Sequence, residues 1–221
     1  MQTSNYRTNL VTAPAAEPIT TSEAKTHLRV DSSTDDTYIG TLITIARSSA
    51  EKYTRRAFIN QTWQMFLDPI GAALSDEWWT GVRQGSIRSL SRAGSLVIPF
   101  APLVSVTHIK FYDDADTATT FSPGNYQVSA YAGDSPANGR ITLRTGAVWP
   151  SIDGAGLRNS DAMEIQFVAG YGTTGASVPT QIKQGILAEI SQLYENRGDC
   201  SDGVNSSLAR SLLNPYRILE F

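Results

Sequence analysis

The stretch EPITTSEAKTHLRVDSSTDDTYIGTLITIARSSAEKYTRRAFINQTW, residues 17–63, decides the fold. Its hydrophobic period is helical up to about Arg56 and strand-like beyond Ile59. Thr20 followed three residues later by Glu23 is a capping-box pair, because the hydroxyl takes an orphan amide while the carboxylate reaches back. It predicts a short helix from Thr21 to Arg29. The polar VDSSTDD that follows reads as a turn, and Asp31, Asp35 and Asp36 suit turn and cap positions. Thr34 or Asp35 is placed to cap a long helix reaching about Arg56. Within it Tyr38, Leu42, Ile45, Ala46, Ser49 and Tyr53 recur at spacings of three and four, so they are expected to share one face. Tyr38, Leu42 and Ile45 are thus the expected share of this helix in a bundle core.

Downstream the period changes to that of strands. Segments 62–67, 96–99, 104–112, 118–121, 126–130, 140–143 and 162–169 are short and rich in Val, Ile, Thr and aromatics. SPG, GDSPANG and DGAG supply turn chemistry between them. Ala162, Glu164 and Gln166 alternate with Met163, Ile165 and Phe167, as in a half-buried strand. A polar excursion, 71–94, interrupts the series. It carries Trp78 and Trp79 with Arg83, Arg88 and Arg92. Adjacent tryptophans are costly to leave in water, so they either fold back on the β region or anchor a partner. The expectation is an interface loop.

The helical period returns after Pro179, which suits a first turn. Ile182, Ile186, Ile190 and Leu193 form one stripe, with Ile186, Ile190 and Leu193 the expected bundle-core contribution. A helix end at Arg197–Gly198, a polar loop and a short helix 207–213 follow, and Asn214–Pro215 stops it. The closing residues Tyr216, Arg217, Ile218, Leu219 and Phe221 are too apolar for a free tail. Their near-alternation suits a strand added to another protein. Burial of the apolar side chains and the entropy of ordering the segment nearly cancel, so a tail loose in the free protein is expected. The expected class is α+β, with helices from both ends forming a bundle around a large antiparallel β insertion. The expected divisions are 1–58, 59–178, 179–213 and a docking tail, 214–221.

Composition narrows the function. The chain has 221 residues, a net charge of −3 and one cysteine. That charge is too small to coat nucleic acid or hold a basic protein on a membrane. The longest apolar run, 96–104, falls far short of the roughly 18 residues of a membrane span. The opening MQTSNYRTNLVTAPAAE lacks an apolar stretch of signal-peptide length, so no secretory leader is expected. Cys200 has no partner for a disulfide within the chain.

No complete catalytic constellation is visible. Gly170-Tyr171-Gly172-Thr173-Thr174-Gly175 is a literal GxGxxG between a strand and a helix, which would allow a nucleotide-binding enzyme. Ala176, Ser177, Val178 and Pro179 separate its last glycine from the helix, and no parallel strand follows, so a flexible linker is the expected role. Asp113, Asp114 and Asp116 read as a hairpin tip and not a cation site. His27 and His108 are far apart, and Cys200 has no local histidine. Catalytic, cofactor-binding and metal-ligating residues are therefore all expected to be absent.

The residues 18–29, PITTSEAKTHLR, match the opening pattern of a known family, Pro-[IVL]-[ST]-[LT]-x-[ED]-A-K-x-[HF]-L-[RK]. An acid-rich turn, a long helix closing on 54–57, and the Gln-Thr-Trp of 61–63 follow in the family's order. Segments 96–104, 168–172, 178–197 and 212–221 also resemble its later motifs. The chain thus resembles the head–tail connector (adaptor, head-completion) proteins of long-tailed bacteriophages and gene transfer agents. The resemblance implies a non-enzymatic virion protein, made in the host cytoplasm and residing in the neck, that forms a ring generally of twelve copies. Its implied partners are other copies, the portal, a neck or tail-completion protein, and genomic DNA passing transiently through the channel, with no membrane and no cofactor. The terminal residues 216–221 would dock on the portal. A non-viral interaction module is the competing reading from another class. The 71–94 excursion departs from the family pattern.

Overall fold

The computed structural model describes residues 6–68, 95–130, 138–150, 156–158, 160–196 and 207–218. The expected capping box is present. The Thr20 amide donates to Glu23 Oε2 at 2.8 Å and the Glu23 amide to Thr20 Oγ1 at 3.2 Å, opening helix α1, Thr21–Leu28. Arg29 in the left-handed region ends it. Helix α2, Asp36–Thr54, begins after Asp35 and ends at a left-handed Arg55. Asp35 stands at the cap position without capping the helix amides; its carboxylate instead accepts from Tyr194 Oη at 2.6 Å. Helices α3, Thr180–Asn196, and α4, Ser207–Leu213, complete the bundle.

Among the described residues eight strands follow the chain order: β1 Tyr6–Thr12, β2 Gln61–Leu67, β3 Ser95–Val97, β4 Leu103–Tyr112, β5 Ala118–Thr120, β6 Tyr126–Ser129, β7 Arg140–Leu143 and β8 Met163–Ala169. The pairings among these strands are antiparallel. One sheet has the order β1-β2-β8-β4-β5 and a smaller one β3-β7-β6. The fold class is α+β, as the sequence led us to expect. One strand was not foreseen. Residues 6–12 precede the helices, yet they pair with β2 from Thr62 to Leu67, Tyr6 opposite Leu67. The stretch 1–58 therefore supplies a sheet edge as well as bundle helices.

Two apolar cores result. Under the sheets lie Met65, Ile109, Ile141, Ile165 and Phe167, all fully buried. Alternation along β8 accounts for this, since Met163, Ile165 and Phe167 share its inner face and Glu164 and Gln166 its outer one. The second core lies in the bundle. Leu42, Ile186 and Ile190 are buried there and Leu193 is partly so, but Tyr38 and Ile45 are exposed by 36 % and 44 %. Those two expected core residues need correction. Helix α2 carries two adjacent apolar stripes, and the inward one runs through Ile39, Leu42, Ile43, Ala46 and Ala50. Tyr38 instead lies at the bundle rim, its ring 6.1 Å from that of Tyr194.

The C-terminal tail also needs correction. A short 3-10 turn, Asn214–Tyr216, folds back on the bundle, and Tyr216 and Ile218 are 8 % and 4 % exposed. The Ile218 amide donates to the Thr54 carbonyl at 3.0 Å, and Arg217 stacks 5.3 Å over the Tyr53 ring. The expected looseness came from weighing burial against chain entropy alone. It omitted the main-chain and arginine hydrogen bonds that fix these residues to their own bundle. Leu219 and Phe221 lie outside the described residues.

Candidate functional site

The polar centre of the molecule is the joint between bundle and sheet, residues 51–61. Helix α2 ends at left-handed Arg55, which turns the chain so that Arg56 points inward. Arg56 is only 1 % exposed. Its Nε donates to the Tyr216 carbonyl at 2.6 Å and its Nη1 to Tyr171 Oη at 3.1 Å. One guanidinium thus ties the end of α2 to the C-terminal segment and to the glycine-rich segment after β8. A buried arginine makes five donors available in a fixed fork, which suits it to such a node.

Glu51 is the second node. Its Oε1 accepts from the Phe58 amide at 2.9 Å and from Gln61 Nε2 at 2.6 Å, and its Oε2 pairs with Arg47 Nη1 at 2.7 Å. Arg47 Nε continues the chain to Glu17 at 2.7 Å. Burial pushes the Glu51 carboxyl above the ordinary glutamate range, opposed by the Phe58 amide and Arg47. Near α1, Lys183 of α3 donates to Glu23 Oε1 at 2.6 Å. That hydrogen bond, with the Thr20 amide, holds the Glu23 carboxyl down at about 2.

The glycine-rich segment 170–175 belongs to this joint. Gly170 donates to the Pro102 carbonyl, Tyr171 to that of Phe58, and the Asn60 amide to the Gly172 carbonyl. Gly170 has φ +150, and a Cβ there would stand 2.5 Å from the Asn60 nitrogen. At Gly175 a Cβ would meet the Pro18 carbonyl oxygen at 2.5 Å. The glycines therefore admit neighbouring backbone, not a phosphate. The expected flexible linker is in fact a tightly hydrogen-bonded joint.

A separate polar cluster lies on the outer face of the large sheet. Glu164 is 5 % exposed and accepts from His108 Nε2 at 2.8 Å, Tyr112 Oη at 2.5 Å and Gln64 Nε2 at 3.1 Å. Burial alone would raise its pKa. The Tyr112 and His108 hydrogen bonds, with Lys110 nearby, outweigh this and hold the carboxyl below its ordinary range. The bond to Glu164 in turn raises the Tyr112 phenol. Asp113 closes the β4–β5 tip by accepting the Ala115 and Thr117 amides, at 2.9 and 2.8 Å.

Among the described residues, no group of three His, Cys, Asp or Glu side chains is placed to hold a metal, and no helix is long and apolar enough to cross a membrane. Trp78, Trp79, Arg83, Arg88, Arg92 and Cys200 lie outside the described residues. Of the joint residues, Glu51 and Arg56 were not singled out by the sequence reading, and Tyr171 entered it only within the glycine motif. The one available signal was the paired Arg55–Arg56 set against the apolar AFI that follows.

Residues 18–78 match the family model described as "Phage gp6-like head-tail connector protein", so the resemblance read at 18–29 and 61–63 holds. Three chains from solved assemblies share the fold. One comes from the "Virion of native gene transfer agent (GTA) particle", at TM-score 0.70 and 21 % identity, covering 97 % of this chain and 96 % of that one. A second comes from the "Neck of empty GTA particle computed with C6 symmetry", at TM-score 0.71 and 22 % identity. A third comes from the "Neck of native GTA particle computed with C12 symmetry", at TM-score 0.66 and 22 % identity. Both neck matches cover 97 % of each chain. No curated protein sequence matches the chain. The family description names a head-tail connector, and the neighbours' descriptions name a particle's virion and neck.

Proposed function

We propose that this protein is a structural head–tail connector of a phage-like particle. Copies assemble into a ring, of twelve, seated beneath the portal in the neck. The ring extends the DNA channel, which the genome touches only in passing, and offers a platform to the next neck or tail protein. The observation that carries this reading is the coincidence of two matches. The N-terminal segment fits the connector family, and the whole chain shares its fold with neck chains of gene transfer agent particles. The joint supports it physically. A connector must carry load between two bodies, and Arg56, Glu51 and the glycine-rich segment lock bundle, sheet and C-terminal residues together. Because Tyr216 and Ile218 are committed to the bundle, docking of a loose tail on the portal forms no part of this reading.

Deleting the gene tests it. Cells without the chain should produce DNA-filled heads and separate tails, with complementation restoring joined particles. Normal yields of tailed particles from the deletion would overturn the proposal.

A further inference from the structure

One corner of the bundle gathers cations. Where α2 stops, Lys52 and Arg55 are exposed, and the C-terminal segment brings exposed Arg210 and Arg217 to the same place. Three contacts join the two segments. Tyr53 Oη donates to Asn214 Oδ1, the Arg217 guanidinium lies 5.3 Å over the Tyr53 ring, and the Ile218 amide donates to the Thr54 carbonyl at 3.0 Å. Lys52 and Arg55 flank Tyr53 and Thr54, so the four cations surround one seam. Segments 52–56 and 207–218 contain no acidic residue, and the preceding Glu51 is committed to Arg47. Glu220 lies outside the described residues; counted in, it leaves the exposed cations four to one over acids.

Elsewhere basic side chains are paired with acids: Arg7 with Asp161, Lys25 with Asp36, Arg47 with Glu17 and Glu51, Arg158 with Asp116, Lys183 with Glu23. Among the described residues no such pair involves Lys52, Arg210 or Arg217. Helix C-termini favour cations, which accounts for Lys52 and Arg210 singly. It does not account for Arg217, which lies beyond the helix. The neutral side chains at the seam are hydrogen-bonding ones. Ser207, Arg210, Ser211 and Asn214 follow at i, i+3, i+4 and i+7, so they line one exposed face of α4 and the turn after it. Asn214 accepts through Oδ1, which leaves its Nδ2 as a donor.

We infer that this corner, with Lys52, Arg55, Arg210 and Arg217 as its cations, binds the phosphate backbone of duplex DNA without reading its sequence. Arginine, lysine, serine and asparagine side chains are the set that contacts phosphate oxygens. An acidic protein surface would call for an apolar or aromatic centre as well. The exposed apolar residue of α4, Leu208, instead lies about 160° round the helix from Arg210. The net charge of −3 does not oppose the site, because charges act within a Debye length of about 8 Å. That DNA reaches the corner in the particle rests on the connector reading above; that the corner takes phosphate rests on its own side chains.

Fluorescence anisotropy of a labelled duplex of random sequence, titrated with the full-length protein, tests the inference. Binding at about 50 mM salt with a dissociation constant of about 1–100 μM is expected. Four cations, each releasing about 0.9 counterion, set a slope of log affinity on log salt no steeper than about −3.6. Arg210→Ala combined with Arg217→Ala should weaken binding about tenfold or more and make that slope shallower by about 2. Should thermal melts show that this pair unfolds the chain, Lys52→Glu, at an exposed helix position, decides by the same loss of binding. Arg144→Ala, an exposed arginine after β7, should change nothing. Wild-type protein that fails to bind at about 50 mM salt, or binding that survives these substitutions, overturns the inference. So does polyglutamate that displaces the duplex as well as unlabelled DNA does, since an acidic protein would then be the better occupant. These readouts use the isolated chain, so their failure leaves the deletion test of the connector reading intact.

Discussion

Glu51 in the joint and Glu164 on the sheet are both carboxylates with little exposure, 14 % and 6 % of the side chain. They are held in different ways. Glu51 receives a main-chain amide, Phe58, along with Arg47 and Gln61, so it fixes the path of the backbone between bundle and sheet. Glu164 is bound by side chains only, from His108, Tyr112 and Gln64 on the neighbouring strands. Its strand would keep its place through the ladders to β2 and β4 without it. The two sites titrate in opposite directions as a result. Burial dominates at Glu51 and raises its pKa, whereas donated hydrogen bonds dominate at Glu164 and lower it. The comparison teaches that the carboxylate fixing the main chain is the one in the joint and not the one on the sheet face.

Replacing each carboxylate should expose the largest difference. Glu51→Ala leaves Gln61 and the Phe58 amide without their shared acceptor and Arg47 with Glu17 alone, and should cost about 3–4 kcal/mol in denaturant unfolding. Glu164→Ala strands only partly exposed side chains that can turn to water, so about 1–2 kcal/mol is expected. Equal losses would break the distinction.

Glycine substitutions probe the same contrast with a smaller effect. Gly170→Ala forces a Cβ onto the Asn60 backbone at a positive φ, and about 2–3 kcal/mol should be lost. Gly146, at φ +83 after β7, has no atom within 4 Å of its Cβ position. Gly146→Ala should therefore cost about 1 kcal/mol, from backbone strain alone.

The pH dependence is the finest test. Glu51 in the folded chain keeps a proton that an unfolded glutamate, at 4.5, has lost. Its contribution is therefore greatest below 4.5 and declines as pH rises through the folded value. Glu164, lowered in the fold, contributes fully above 4.5 and loses that contribution as pH falls through its folded value. In thermal melts across pH, Glu164→Gln should flatten the acid limb and Glu51→Gln the decline just above 4.5. The same limb responding to both substitutions would show that the two sites do not titrate oppositely.

Local signals made much of this legible in the sequence. The Thr20–Glu23 box and the alternation of 162–169 depend on neighbours a few residues away, and both appear as expected. Strand β1 was hidden because YRTNLVT alternates weakly, and its conformation is imposed by β2 some fifty residues later. Tyr38 and Ile45 were misassigned because two stripes on α2, one turned about 100° from the other, fit a helical period equally well. Arg56 was overlooked for a related reason. Its partners, Tyr171 and Tyr216, lie more than a hundred residues away, where no spacing rule reaches.

The most direct measurement is electron microscopy of the particle neck at a resolution that traces main chain. The account predicts this chain as a closed ring between portal and tail, with the Arg56 joint intact in every copy. Density for the ring position that this sequence cannot fit, or this chain found only outside the neck, would contradict it.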